Sequence, residues 1–359
     1  MEESDLLRIT ILGAGVMGAA ITKPLIDNGH EISLWGTEYD IPLLESMARN
    51  GIHPKLGIRI SRNVKIFPPD KLEEAVRDSK IVLIAVSSQG TKNVSRRMVP
   101  FLKKGMVVVT VAKGLEKDSD GKIHTMAEVI ENVIPENMRE EIYVAAMGGP
   151  QVASEVAQGV HTAVVCASQK IHAAKLCKEA LTTPAYIVET TRDLIGVELC
   201  AALKNVYAIG VSFCDGLKDK KGLQTIDNTK ATLFTYAANE MAKIVKAKRG
   251  KVKTVLGLAG VGDLDVTCRK AAGRNRLFGR LLGQGLNTEE ALERTRKSEG
   301  LVEGFETAQK GYELAKELEL ENKIRIDEDA PFLRQIYSVL FERKNADEAI
   351  VDLFRSRRI

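Results

Sequence analysis

Lys204 sits in Glu198-Leu199-Cys200-Ala201-Ala202-Leu203-Lys204-Asn205-Val206-Tyr207-Ala208-Ile209. That stretch is apolar nearly all round, which predicts a buried helix. A lysine inside it must be paired or must titrate low, and a low-titrating ammonium suits proton transfer near neutral pH. On position alone the same lysine also reads as a solvated group at the end of a helical repeat. Further along, Gly260-Val261-Gly262-Asp263-Leu264-Asp265-Val266-Thr267-Cys268 supplies two carboxylates and a hydroxyl from an apolar, glycine-rich turn. Gly273-Arg274-Asn275-Arg276 offers a guanidinium fork that matches a phosphate bidentately, although Arg276 reads better as a surface or ion-pair residue. Lys113 follows an apolar strand, so its ammonium should emerge at the sheet edge where ligands bind. The histidines (His30, His53, His124, His161, His172) fall in no spaced cluster and receive no catalytic or metal role.

A second group of residues lies near the start. Arg8–Leu12 reads as a short strand that runs into Gly13-Ala14-Gly15-Val16-Met17-Gly18, and Ala19-Ala20-Ile21-Thr22 opens a helix. A bound pyrophosphate needs that order. The first glycine permits the tight turn, the second clears the phosphate's path, and the third lets helix and strand pack closely. The helix N-terminus then offers unpaired N–H groups and a partial positive charge. A lone GxGxxG is weak among 29 glycines, but strand, turn and helix in sequence make a dinucleotide site. Past the second strand, Glu38 is the nearest acid for a ribose 2′-hydroxyl, and no Arg or Lys follows until Arg49. That leans toward NAD, with NADP possible; FAD fits the fingerprint alone.

The elements that must position these groups follow from periodicity. Candidate strands Ile9–Leu12, Glu31–Trp35, Ile81–Val86, Val107–Val111, Ile142–Ala146 and Ala163–Ala167 alternate with helical stretches such as Leu72–Arg77 and Ile123–Ile134. The pattern implies an α/β fold, a Rossmann-type doubly wound parallel sheet. From Asp193 onward the period is helical, in Leu194–Gly210, Thr229–Ala247, Thr288–Arg296, Glu306–Leu318 and Pro331–Phe341. The expected organisation is a dinucleotide-binding domain over 1–192 and an all-helical, substrate-binding domain over 193–359 that closes over the cofactor cleft. Phe234 and Tyr236 are expected in the core.

Composition narrows the class. The chain has 359 residues, 44% hydrophobic and 28% charged, with a net charge of +4; that describes a globular protein of about two domains. No basic stripe argues for nucleic acid. No apolar run approaches the roughly 20 residues that span a bilayer, and the acidic start lacks a secretory pattern. Five widely spaced cysteines read as reduced structural thiols of a cytoplasmic protein.

A dinucleotide fold, two candidate lysines, an acid and an Arg-Asn pair are the parts needed to reduce a phosphorylated carbonyl compound. The chain resembles the NAD(P)-dependent glycerol-3-phosphate dehydrogenase family from residue 8 to about 354. The resemblance rests on GAGVMG (13–18), AVSSQ (85–89), AKGLE (112–116), GGPQVASEVAQG (148–159), ELCAALKNVYAIG (198–210), CDGL (214–217), DNTKA (227–231), GLAGVGDLDVTC (257–268), GRNRLFG (273–279) and VEGFETA (302–308). It implies reversible reduction of dihydroxyacetone phosphate to sn-glycerol 3-phosphate, a precursor of phospholipids, by a cytoplasmic homodimer. By the same resemblance Lys204 is the general acid, Asp263 holds it, and Lys113 orients the substrate. Arg274 and Asn275 bind the phosphate, with Thr267 and Asn205 close by. The cofactor falls to Gly13, Ala14, Gly15, Val16, Met17, Gly18, Trp35, Ser88, Lys113, Arg274 and Glu303. Departures from the family pattern are Ser87, Gly148, an inserted basic loop at 218–226, and Tyr236. The last two leave open a dehydrogenase of another phosphorylated polyol or hydroxy acid. A non-catalytic nucleotide sensor should have lost Lys204 or Asp263, and both are present.

Overall fold

The computed structural model of the chain describes residues 6–270 and 273–356. Two compact units are present, Met1–Lys113 with Thr125–Leu194, and Gly114–His124 with Ile195–Ile359. Segment 114–124, which the sequence pattern left in the first half, belongs to the second.

The first unit is built on strands β1 (Arg8–Leu12), β2 (Glu31–Trp35), β5 (Val64–Phe67), β6 (Ile81–Ile84), β7 (Val107–Thr110), β10 (Tyr143–Gly148), β11 (Thr162–Ala167) and β12 (Tyr186–Thr191). Their order is β12-β11-β10-β7-β6-β1-β2-β5. Pairing is parallel except between β10 and β11. A two-stranded ribbon of β3 (Ile52–His53) and β4 (Ile58–Arg59) follows β2, and β8 (Leu115–Lys117) with β9 (Ile123–Thr125) forms another. Alternate residues Ile9, Ile11, Ile32, Leu34, Leu83 and Val109 pack into one core, while Leu12, Val82, Ile84 and Val108 bury the opposite face. Burial on both faces is why these strands read as continuous apolar runs. The strand order reverses between β1 and β6, which is where such sheets bind ligands.

The expected helix over Ile123–Ile134 begins three residues late. Thr125 accepts the Glu128 backbone N–H, and the Glu128 carboxylate accepts the Thr125 N–H at 2.8 Å. This capping box starts the helix Met126–Val133 and leaves Ile123–Thr125 as β9.

From residue 195 onward the second unit is helical, as expected for the C-terminal domain, and the 114–124 segment joins it. Its longest helix, Leu194–Lys221, is long and apolar enough to cross a membrane, a length the sequence reading had not credited. Of its apolar window, 94% is buried inside the protein, as befits a core helix. The helix continues through Lys218–Lys221, so the inserted basic segment begins as its last turn; Asp219 there accepts Arg280 at 2.7 Å. Tyr236 packs its ring on Phe354 at 6.3 Å, and Phe234 and Tyr236 are half-buried, short of the core.

Helix Arg274–Gly283 runs alongside Leu194–Lys221 with a four-residue step on both. A Cβ on Gly283 would stand 2.2 Å from the Phe213 carbonyl, and one on Gly279 2.2 Å from the Ile209 carbonyl. One turn earlier, the Asn275 amide donates to Asn205 Oδ1 at 3.0 Å. Bare glycine surfaces therefore bring the helices close enough for two short carboxamides to meet. Gly279→Ala should cost about 1–3 kcal/mol through overpacking. Thermal unfolding should show a midpoint several degrees lower; an unchanged midpoint would mean the helices need no such close approach.

Candidate active site

The candidate site residues fall into two sets, one in each unit.

In the second unit, a single turn of π-helix (Leu258–Gly262) leads into helix Asp263–Arg269. Such turns recur at functional sites because they re-aim the following side chains. Here Asp263 meets Lys204. The ammonium donates to Asp263 Oδ1 at 2.5 Å and to Thr267 Oγ1 at 2.6 Å. The Thr267 hydroxyl in turn donates to the Asp263 carbonyl at 2.7 Å, so a lone pair of that oxygen faces the ammonium. Lys204 is 5% exposed and Asp263 1%. An ion pair this deep is held by geometry, and loss of either partner strands a charge at a cost of about 3–5 kcal/mol. Burial pushes the neighbouring Cys268 thiol up to about 12, so it stays neutral beside the pair.

Asn205 follows Lys204 on the same helix. The Gly304 N–H donates to Asn275 Oδ1 at 3.0 Å, and Asn275 Nδ2 donates to Asn205 Oδ1. This relay fixes the orientation of both amides. It leaves Asn205 Nδ2 buried with no hydrogen-bond partner among the described residues, a donor whose desolvation costs about 1–3 kcal/mol unless a bound group accepts from it. Arg274 donates to the Leu301 carbonyl at 3.1 Å and to Glu303 at 3.4 Å, with its side chain 41% exposed. The structure therefore gathers Lys204, Asp263 and Thr267 into one cluster. It ties Asn205 to Asn275, and pairs Arg274 with Glu303. Arg276 is consumed by Asp215 at 2.8 Å and by the Arg269 carbonyl at 2.9 Å, while Lys230 takes the other Asp215 oxygen at 2.6 Å.

In the first unit, the glycine loop joins β1 to helix Val16–Asp27. Gly13 has φ +114°, and a Cβ there would meet the Ala85 and Val86 backbone at 2.9 Å. A Cβ on Gly18 would lie 2.0 Å from the Gly13 carbonyl. Around a Cβ on Gly15 nothing among the described residues lies within 4 Å. The outer glycines are thus demanded by the fold, and the middle one borders open space beside the helix N-terminus, where a pyrophosphate fits. Ala14, Val16 and Met17 complete the turn. Ser88 opens helix Ser88–Met98 after β6, and Lys113 is half-buried beyond β7.

Sequence reasoning missed His53 and Asp40, which hold this loop, and Arg97, which lies beyond it at the end of β2. His53 Nδ1 accepts the Leu56 N–H at 3.2 Å, so its Nε2 donates to the Ala14 carbonyl at 3.1 Å. Burial lowers its pKa and keeps it neutral. Asp40 accepts from Ala14 N at 3.4 Å and from Thr37 N at 2.9 Å. Arg97, on helix Ser88–Met98, pairs with Glu38 at 3.0 Å and lies over the Trp35 ring at 5.0 Å. The lean toward NAD rested on the lack of a cation near Glu38, and Arg97 supplies one from 59 residues along the chain.

With these geometries in place, comparison with known proteins identifies the class as a nicotinamide-dependent dehydrogenase. The sequence profile of the NAD-dependent glycerol-3-phosphate dehydrogenase N-terminus matches residues 8–174, and that of the C-terminus matches residues 193–351. An NADP(+)-dependent glycerol-3-phosphate dehydrogenase of Archaeoglobus fulgidus is 38% identical over 96% of this chain and 98% of its own length. A glycerol-3-phosphate dehydrogenase [NAD(P)+] of Fusobacterium nucleatum is 34% identical over 97% and 96%. The crystal structure of glycerol-3-phosphate dehydrogenase from Coxiella burnetii matches with a TM-score of 0.83 at 30% identity, covering 97% of this chain and 99% of that one. The chain belongs to the NAD-dependent glycerol-3-phosphate dehydrogenase family.

The Asp215 cluster generates a pH dependence. Burial alone would raise the Asp215 carboxyl, but bonds from Lys230 and Arg276 hold it below the usual carboxylate range. A depressed folded-state value gives stability that is present above the unfolded value of about 3.9 and lost as pH falls through the folded one. Asp215→Asn should lower the unfolding midpoint at neutral pH and flatten its decline in acid. Parallel acid declines in both proteins would contradict this.

Proposed function

We propose that this chain is an NAD(P)-dependent sn-glycerol-3-phosphate dehydrogenase that reversibly reduces dihydroxyacetone phosphate. The observation that carries the reading is the buried Lys204 ammonium, held by the Asp263 carboxylate and the Thr267 hydroxyl in a chain of this family. When bound, a reduced nicotinamide would supply the hydride for the carbonyl carbon. Lys204 Nζ gives the proton to the C2 oxygen, so the C=O bond becomes C–H and O–H, and Lys204 recovers its proton from solvent. In the reverse direction neutral Lys204 removes the hydroxyl proton. Asp263 stabilises the ammonium between turnovers and fixes its direction, which confines proton delivery to one place.

The remaining roles follow from the partners each residue has or lacks. Asn205 Nδ2, buried without an acceptor among the described residues, donates to the substrate. Arg274 is braced by Leu301 and Glu303 yet partly exposed, which suits it to the phosphate and to the cofactor beside it. Asn275 orients Asn205 and lies next to the phosphate subsite. Glu303 borders the cofactor through Arg274, and Lys113 orients the substrate from the dinucleotide-binding unit. Residues 13–18, Trp35 and Ser88 hold the dinucleotide. In this reading the protein acts in the cytoplasm as a homodimer, and its product feeds phospholipid synthesis.

The test is oxidation of NADH and NADPH with dihydroxyacetone phosphate. Lys204→Ala should lower the turnover number by roughly 10²- to 10⁴-fold while leaving NADH binding nearly unchanged. Near-normal turnover in that variant would remove Lys204 from proton transfer. Turnover of a different ketose phosphate, with dihydroxyacetone phosphate inert, would favour the related dehydrogenase activity instead.

A further inference from the structure

The residues that close the far end of the dinucleotide site form a cluster the fingerprint does not explain. Trp35 ends β2, the strand whose tip neighbours the adenosine ribose in this sheet type. Arg97 lies face-on to its ring at 5.0 Å. The same guanidinium donates to the Pro69 carbonyl at 3.2 Å through NH2 and to Glu38 through NH1, 3.0 Å from one carboxylate oxygen and 3.1 Å from the other. Trp35 Nε1 donates to that same carbonyl at 3.3 Å. Ring, carbonyl and carboxylate therefore hold Arg97 in one orientation, with its side chain 32% exposed. Glu38 is different. Its side chain is 58% exposed and projects from a short 3-10 turn, so it can swing into solvent without disturbing packing. The acid that the loop itself holds is Asp40, bonded to Thr37 and near Ala14 N.

We propose that Arg97 is the receptor for the 2′-phosphate of NADP, and that Glu38 is a displaceable anion occupying it when that phosphate is absent. A planar, pre-oriented guanidinium binds a phosphate bidentately, and the ring stack removes the entropy cost of fixing it. A dianionic phosphate displaces an exposed carboxylate because an exposed ion pair holds little free energy. With NAD, Glu38 stays on Arg97 and Asp40 faces the ribose hydroxyls. One site thereby accepts both cofactors. This inference rests on the dinucleotide site of the reading above and not on the carbonyl substrate, so an inactive dihydroxyacetone phosphate assay would leave it standing.

The experiment compares adenosine 2′,5′-bisphosphate with adenosine 5′-monophosphate, which differ only in the 2′-phosphate, bound to the full-length protein. Trp35 is the chain's only tryptophan, so its emission reads binding beside Arg97 directly. Arg97→Gln should weaken the bisphosphate by roughly tenfold or more, the worth of a charge-assisted bond, and weaken the monophosphate by less than about threefold on the same scale. Arg97→Lys should restore part of the loss, since charge remains while the fork is gone. Glu38→Gln should tighten the bisphosphate by removing its competitor and move the NADPH to NADH preference the same way. Equal weakening of both probes in Arg97→Gln would make Arg97 a support for Trp35 only and overturn the proposal. An unchanged bisphosphate affinity, or no binding of either probe to the wild-type protein, would overturn it too.

Discussion

One buried charge constrains the helical half of this protein. An ammonium inside an apolar helix is unfavourable unless a counter-charge and further hydrogen bonds meet it there. Lys204 is met by Asp263 at 2.5 Å and Thr267 at 2.6 Å. To bring a carboxylate to that depth, the chain breaks regular helix at Leu258–Gly262 and restarts at Asp263. The result is an ammonium that cannot wander, kept among buried apolar side chains where its charge is weakly screened, which is what the proposed proton transfer requires. A surface lysine would have neither property.

The same helix that carries Lys204 carries the surface against which Arg274–Gly283 packs. Gly279 and Gly283 lie on bare backbone of the longer helix, and Asn275 reaches Asn205 one turn away. The close approach is thus the means by which an otherwise ordinary helix pair orients a donor with no partner among the described residues. In the first unit the logic is the same with different materials. Gly13 and Gly18 are fixed by backbone contact, His53 and Asp40 hold Ala14 from its two sides, and the space at Gly15 is left clear.

Sequence reading carried far where a residue conflicts with its local surroundings. Lys204 was visible because the stretch around it is apolar nearly all round, and the glycine turn because strand, turn and helix follow in order. The features it missed join residues distant along the chain. Arg97 meets Glu38 across 59 positions, and Ala14 meets His53 across 39; neither residue bears a local sign of its role. Asp215 joins Lys230 and Arg276 from separate helices. The capping box at Thr125 was a local signal, overlooked because apolar spacing runs on through it. The 218–226 insertion looked like a loop because it is charged, yet helix Leu194–Lys221 extends into it, with Asp219 tied to Arg280 on a neighbouring helix.

The most direct measurement of the central claim is a crystal structure with oxidised cofactor and glycerol 3-phosphate bound. If the buried pair exists to deliver a proton, the Lys204 ammonium will lie within hydrogen-bond reach of the substrate C2 oxygen, about 2.6–3.2 Å, with its Asp263 contact kept. A substrate seated with that oxygen turned toward another side chain, and Lys204 still bound only to Asp263 and Thr267, would make the pair a structural strut and contradict the account.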